Sequence, residues 1–331
     1  MRVSHYFEWE DHITGGHAQS VRNQRKILDR RGIEYTTEPD LNADLLHLNN
    51  MGPRSVYYAR KARLSGVPVL VHAHQTAEDF RESFALSNLL ARPMRPYLEY
   101  AYSLADHLVC PSEHNRQVLE GYADAPKTVI SNGFDPDMLA GYADLREEYR
   151  DRYDLSGTVA FMVGHVIERK GLRSFVETAR AMPDTDFVWF GYLNPTGGGG
   201  LDRLLRKRET TKLVENAPDN CTFTGYVEDI RGAYAAGDVF FFPTKNENEG
   251  MALLEAMACG KPPVVRDIPT FEWLTDGTNC LKADDDFAGA IKQVQDSDQR
   301  ERLGANAEAA SESFELDTVA DDLVSLYRSV V

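Results

Sequence analysis

Hydrophobic positions along the chain fall into two alternating patterns. Short runs rich in β-branched and aromatic residues predict buried strands. In the first half these are "VPVLVHAH" (67–74), "HLVCPS" (107–112) and "KTVISNG" (127–133). In the second half they are "TVAFMVG" (158–164), "DFVWFG" (186–191), "CTFTG" (221–225), "DVFFFP" (238–243) and "PPVVRD" (262–267). Between them, apolar positions three to four apart predict helices, as in "GGHAQSVRNQRKILDRRG", "PSEHNRQVLEGY", "KGLRSFVETARAMP", "VEDIRGAYAAG" and "ALLEAMACG". Strands separated by such helices predict parallel sheets built from βαβ units. The alternation occurs twice, with a charged join near "ADLREEYRDRYDLSG" (143–157). The expected fold class is α/β, with two Rossmann-like domains, 1–150 and 151–314, facing across a cleft. The last segment, "FELDTVADDLVSLYRSVV" (314–331), is an amphipathic helix that either finishes the second domain or packs back on the first. Ligands are expected beyond the carboxyl ends of the strands.

Length agrees with this division, because 331 residues correspond to about two domains of ordinary size. No apolar run approaches the roughly 20 residues of a membrane span. The start of the chain, "MRVSHYFEWEDH", has no apolar signal core, so a cytoplasmic protein is expected. Cys110, Cys221, Cys259 and Cys280 show no C-x-x-C spacing and read as free thiols. The formal net charge of -16 disfavours nucleic acid as a partner, since phosphate neutralisation needs a basic surface. An acidic surface of this kind also suits a halophile-like, high-salt proteome. The charge is uneven: residues 1–150 carry 17 basic and 21 acidic side chains, residues 151–331 carry 19 and 31. The first half has therefore kept basic residues that the second half lacks. "NPTGGGG" (194–200) lacks the P-loop pattern and reads as a surface loop before a basic helix.

The stretch "NENEGMALLEAMACG" (246–260) sets carboxylates at the mouth of a helix, where anions usually dock. Free amides near Gly250, Met251 and Ala252 would form an anion site, and glycine lets a phosphate approach closely. Carboxylates at such an end also complement the helix dipole, so simple capping is the structural alternative.

Glu247-x7-Glu255 resembles the E-x7-E motif of the retaining glycosyltransferases of family 4, which have the GT-B fold. The resemblance implies that Glu247 contacts the donor sugar, Glu255 the ribose, and Gly250 to Ala252 the diphosphate. "GHVIERKGL" (164–172) resembles the family's G-R-x3-4-K-G segment. That implies Lys170 on the diphosphate, with His165 where the family has arginine and Arg169 as compensation. "TGGH" (14–17) resembles the glycine-rich turn after the first strand, implying that Gly15 and Gly16 approach donor or acceptor. "VHAHQTAEDF" (71–80) matches the position of a histidine that reaches the reacting centre; His74 fits it best and His72 second. "SNGFD" (131–135) resembles the family's inter-domain turn, and "PSEH" (111–114) a turn in which Ser112 caps a helix.

Within the family the chain is most similar to enzymes that glucosylate diacylglycerol. This implies a UDP-sugar donor, UDP-glucose above all, and retention of configuration. No cofactor and no obligatory metal are implied. The first domain is then the acceptor side. "RESFALSNLLARPMRPYLEYAYSLADHL" (81–108) mixes Phe84 and other apolar residues with Arg81, Arg92 and Arg95, and "RNQRKILDRR" (22–31) and "RKARL" (60–64) add charge. Such a mixture suits peripheral docking on an anionic membrane surface; its structural alternative is a core with a solvated basic face. The open alternatives for function are a polyprenyl-linked glycan, polysaccharide or small-molecule acceptor, a nucleotide-sugar epimerase, and a non-catalytic nucleotide-sugar-binding module. Glu249 has no implied role beyond surface capping.

Overall fold

The structure is a computed structural model that describes residues 1–77, 87–193 and 209–331, with side chains undescribed at 87–93. It divides into two compact units. One comprises the described residues up to Phe134 together with Phe314–Val331; the other runs Asp135–Ser313.

In the first unit the elements are β1 (Arg2–Tyr6), α1 (Gly16–Arg30), β2 (Glu34–Thr36), β3 (Leu45–Leu48), α2 (Pro53–Ser65), β4 (Val69–His72), α3 (Ser87–Tyr102), β5 (His107–Cys110), α4 (Glu113–Leu119) and β6 (Lys127–Val129). The strands form one parallel sheet in the order β2-β1-β3-β4-β5-β6. Both faces are covered, as a parallel sheet requires. On one side Leu46, Leu48, Val69 and Val71 pack with Ala59 and Ala62 of α2, and Leu98 and Ala101 of α3. On the other, Val3, Leu45, Leu70 and Val109 pack with Ile27 and Leu28 of α1. Ser112 caps α4 by accepting the Asn115 amide at 3.1 Å.

The second unit contains α5 (Arg146–Arg152), β7 (Val159–Val163), α6 (Leu172–Ala181), β8 (Asp186–Phe190), β9 (Cys221–Gly225), α7 (Arg231–Ala236), β10 (Val239–Phe242), α8 (Met251–Ala258), β11 (Pro263–Arg266), β12 (Leu281–Ala283), α9 (Phe287–Gln293) and α10 (Ser297–Ser311). Its parallel sheet has the order β12-β11-β10-β7-β8-β9. The strand order reverses between β7 and β10, and a doubly wound sheet opens a crevice at such a reversal. An aromatic core fixes the sheet to α6, with Phe175 at 4.9 Å from Trp189, 5.4 Å from Phe241 and 5.6 Å from Phe187, ring centre to ring centre.

The last helix, α11 (Leu316–Val330), lies in the first unit, where Leu316, Val319, Leu323 and Tyr327 join the face lined by α1. It is tied to the end of the first sheet by two backbone bonds, Phe134 N to Phe314 O and Leu316 N to Phe134 O. The boundary expected at 150 is corrected to Phe134–Asp135. The charged join is not a linker. Arg146 and Arg150 both bond the Asp238 carboxylate, at 2.6 and 3.2 Å, and the Tyr149 hydroxyl donates to Asp229 O at 2.9 Å. These contacts hold α5 in the second unit. Three cysteines are buried and Cys221 is half-buried, all as free thiols. Among the described residues, no helix is long and apolar enough to cross a membrane.

Candidate active site

The second unit gathers most of the expected site residues on the two loops flanking the strand reversal. After β7 the chain turns through Gly164 and His165 into a short 3-10 turn, Glu168–Lys170. After β10 it runs from Pro243 to Gly250, where α8 begins. Gly171 allows the close approach of the two loops. Its φ is 84°, and a Cβ there would overlap the Pro243 carbonyl. The loops are stitched by hydrogen bonds from Lys245 N to Arg169 O at 2.9 Å and from Arg169 Nη1 to Asn246 O at 2.7 Å.

Across this seam Lys170 Nζ bonds Glu247 Oε1, and the same oxygen accepts from Thr244 Oγ1 at 3.1 Å. Thr270 Oγ1 donates to the Glu247 carbonyl at 2.7 Å, which fixes the backbone beneath the carboxylate. Burial would raise the Glu247 carboxyl, but Lys170, Arg169 and these hydrogen bonds outweigh it and hold it below the usual range. Burial lowers the Lys170 ammonium, and the Glu247 charge offsets part of that. His165 is pushed down to about 4 by burial, then by Lys170 and Arg169, so it is neutral near pH 7.

Gly250 adopts φ 97° and starts α8 with no side chain capping the helix. The first amides, those of Met251 and Ala252, therefore lack an intrahelical acceptor and face the mouth of the helix with its dipole behind them. Glu255 lies one turn in, on the same helix, where Tyr234 of α7 donates its hydroxyl to Glu255 Oε2. Burial raises the Glu255 carboxyl, and the Tyr234 hydrogen bond lowers it in part. Tyr234 was invisible to the sequence reading because "GAYAAG" looks like the plain core face of a helix. Glu249, expected as a surface cap, is buried instead. The loop folds inward at Gly250 and carries its neighbour with it.

The first unit carries the remaining candidates. Gly15, with φ 76°, caps α1, and Gly16 is its first residue; both are exposed. His74 follows β4 and is stacked on His72 at 4.4 Å between ring centres, with His17 at 4.3 Å on the other side. Burial, then the neighbouring imidazoles His17, His72 and His47, pushes His74 well below its ordinary range. His74 is thus a neutral hydrogen-bonding group near pH 7.

The proposed membrane residues fare differently. Arg81 and Phe84 lie outside the described residues, as does the side chain of Arg92 and the loop 194–200. Arg95 makes contacts within its unit. It pairs with Glu99 at 2.9 Å, donates to Gly121 O at 3.2 Å and lies 4.8 Å over the Tyr122 ring. Around α1, Arg25 pairs with Glu10, Arg30 with Asp317 and Arg31, just past the helix, with Asp321, while Arg22 bonds the Gln19 amide oxygen.

This geometry can bind a diphosphate on amides and cations and hydroxyl groups on two flanking carboxylates. The family model for glycosyl transferases group 1 matches residues 157–297, and that for Glycosyltransferase Family 4 matches 19–138. The chain is 32% identical over 325 residues to the processive diacylglycerol alpha-glucosyltransferase of Acholeplasma laidlawii, covering 96% of this chain and 94% of the relative. It is 34% identical over 116 residues, 34% of this chain and 30% of the relative, to the alpha-galactosylglucosyldiacylglycerol synthase of Streptococcus pneumoniae. Among solved structures, Anabaena Alr3699/HepE in complex with UDP-glucose superposes with TM-score 0.78 at 17% identity, over 99% of this chain and 100% of that one. WaaG, a glycosyltransferase of lipopolysaccharide biosynthesis, superposes with TM-score 0.70 at 15% identity, over 98% and 99% of the two chains. The two parallel sheets are those of a GT-B fold.

Proposed function

Because the chain belongs to glycosyltransferase family 4, we propose that it moves glucose from UDP-glucose to a diacylglycerol-type lipid, with retention of the anomeric configuration. The end-to-end similarity to the Acholeplasma diacylglycerol glucosyltransferase carries the choice of acceptor. The nucleotide donor is supported by the UDP-glucose bound to the Anabaena neighbour and by the form of the loop pair here.

In this reading the donor diphosphate lies against the Gly250, Met251 and Ala252 backbone, with Lys170 and Arg169 supplying positive charge. Glu247 accepts hydrogen bonds from the sugar hydroxyls and Glu255 from the ribose. The bond between the anomeric carbon and the diphosphate oxygen breaks as the acceptor hydroxyl adds on the same face. The leaving phosphate takes the hydroxyl proton. No pair of glycosidase-like carboxylates is called for, and Glu247 positions the sugar without forming a covalent bond to it. His74, a neutral imidazole of the first unit, keeps the role that the family resemblance implies, a hydrogen-bonding group for the substrate. The protein's own cations supply the leaving-group stabilisation that a divalent ion would otherwise give, so the reaction proceeds without a metal. The protein works at the inner face of the cell membrane, where its donor and its lipid meet.

The test is incubation of the purified full chain with labelled UDP-glucose and detergent-dispersed diacylglycerol, with and without EDTA. The expected product is an α-glucosyl lipid formed equally in both. Product only with a polyprenyl-linked or water-soluble acceptor would overturn the lipid assignment, and loss of product in EDTA would overturn metal independence.

A further inference from the structure

Among the described residues three basic clusters stand out, and the structure disposes of them differently. On and just after α1, Arg25, Arg30 and Arg31 pair with carboxylates and Arg22 bonds Gln19, and Arg95 is anchored on Glu99 and Tyr122. The remaining cluster is α2, Pro53–Ser65, which carries Arg54, Arg60, Lys61 and Arg63 and not one carboxylate. Only Arg54 has an acidic partner there, Glu38 at 3.3 Å, and both members of that pair are well exposed. Among the described residues no ion pair engages Arg60, Lys61 or Arg63.

The same helix shows unusual apolar exposure. Leu64 is 89% exposed and Tyr57 51%, while Ser55, Ala59 and Ala62 are buried against the sheet. Residues 57, 60, 61 and 64 recur at helical spacing and form one stripe on the outer face. The Lys61 ammonium lies 4.7 Å over the Tyr57 ring, so aromatic and cation share one patch. Tyr100 of α3 is exposed too, and Arg63 Nη1 donates to Ser103 O at 2.9 Å, which brings the end of α3 beside the end of α2.

A nearly bare leucine contributes nothing to this fold, and three cations without a carboxylate partner are out of character for a chain of net charge -16. We propose that the outer face of α2 is a docking surface for an anionic lipid bilayer. Leu64 and Tyr57 would enter the headgroup region, with Arg60 and Lys61 at the phosphate level. Charge complementarity selects this occupant: in a chain of net charge -16, a stripe of cations beside exposed apolar side chains is the kind of surface that an anionic bilayer attracts. The inference rests on the lipid-acceptor reading, which it supplies with a means of reaching its substrate.

The test is flotation of the full chain with phosphatidylcholine vesicles, with and without phosphatidylglycerol, at several salt concentrations. Binding is expected only to the anionic vesicles and is expected to weaken with salt. Arg60→Glu/Lys61→Glu should lower vesicle affinity at least tenfold. Leu64→Ser/Tyr57→Ser should remove the binding that survives at high salt. Lys212→Glu/Lys292→Glu, the same change of net charge in the second unit, should bind as the wild type does. All four α2 positions are exposed, so the fold survives, and transfer to detergent-dispersed diacylglycerol should be unchanged in both α2 variants. Equal binding by the wild type and the Arg60→Glu/Lys61→Glu variant would overturn the surface, as would equal weakening by the second-unit variant. A wild type that glucosylates dispersed lipid but ignores anionic vesicles would overturn docking and leave the transfer reaction standing. Vesicle binding lost on α2 substitution, without transfer to any lipid, would support the surface and refute the lipid acceptor.

Discussion

Lys170 and Glu247 are bonded to each other across the two loops at the strand reversal, and both are largely withdrawn from solvent. Each is therefore the other's counter-ion before any donor arrives. Removing one partner of such a pair strands a buried charge, at about 3–5 kcal/mol. Glu247→Ala and Lys170→Met should each lower stability by that order, and the double variant by clearly less. Glu247→Gln loses the counter-charge of Lys170 but keeps the volume and an oxygen that can accept from Lys170 and Thr244, so it should be destabilised less than Glu247→Ala and still fold, yet lose transfer by at least about 100-fold if the carboxylate positions the sugar. Urea unfolding of the four variants, with turnover of the glutamine form, checks both statements. Near-wild-type turnover in Glu247→Gln would remove Glu247 from the site.

Tyr234 and Glu255 form a second pair, on α7 and α8. The tyrosine hydroxyl stabilises the ionised carboxylate that burial opposes. Tyr234→Phe removes that bond and should push the Glu255 carboxyl further up. Because Glu255 is assigned to the ribose, the donor KM should rise about tenfold with kcat nearly unchanged, as expected for a hydrogen bond to a charged group. The acidic limb of kcat/KM should move to higher pH. A pH profile of the phenylalanine variant that superposes on the wild type would contradict the assignment.

Gly171 is where the Lys170 turn meets the β10–α8 loop. Its positive φ disfavours any other residue by about 1 kcal/mol, and the overlap of a Cβ with the Pro243 carbonyl adds to that. Gly171→Ala should lose several kcal/mol of stability, or else separate the loops and abolish transfer. Gly157→Ala is the control. Its φ is 55° but nothing lies within 4 Å of the added Cβ, so only the backbone cost remains. Equal melting temperatures for the two variants would show that the loops do not need this close approach.

Much of this was legible in the chain. Most strands of the second sheet are apolar runs, though the three-residue β12, "LKA", is not, and Glu247, Gly250 and Glu255 are spaced along one loop and one helix, so for these local pattern was enough. What escaped depends on contacts distant in sequence. "ADLLHLNN" hides β3 because a four-residue strand bounded by polar turns has almost no period of its own. The segment around Arg146 and Arg150 reads as a charged linker until Asp238, in the next layer, is seen between the two guanidinium groups. Arg30 and Arg31 look like free surface charge until α11 returns Asp317 and Asp321 to them. Glu249 looks like a surface residue because burial of a carboxylate is rare and leaves no trace in composition.

The histidines of the first unit were equally dispersed in sequence, and they carry the final prediction. His5 of β1 and His47 of β3 are cross-strand neighbours at 4.8 Å; His72 lies 5.8 Å from His47, and His74 and His17 extend the row. Around them stand Gln24 and Ser20 of α1, Asn49, Asn132 and the Tyr327 hydroxyl of α11, with Arg25 and Glu10 as the charged neighbours of His5. Burial pushes His5 and His17 down to about 4 and His72 to about 3, and His47 and His74 well below their ordinary range. In the unfolded chain they titrate near 6.5. Above that pH they are neutral in both states and cost nothing. As pH falls from about 6.5 toward 4, the unfolded state takes up protons that the fold refuses, so stability falls with pH. His5 alone corresponds to about 3 kcal/mol once both states are protonated. Denaturant unfolding at pH 7.5, 6 and 5 should show a steep loss, and His72→Phe should flatten it by about one proton. The imidazole resonances of His5, His17, His47, His72 and His74 should stay unshifted until the first unit unfolds. A stability that is level from pH 7.5 to 5, or imidazoles of these five histidines that titrate near 6.5 in the folded protein, would show that the histidine row is not held neutral by the fold.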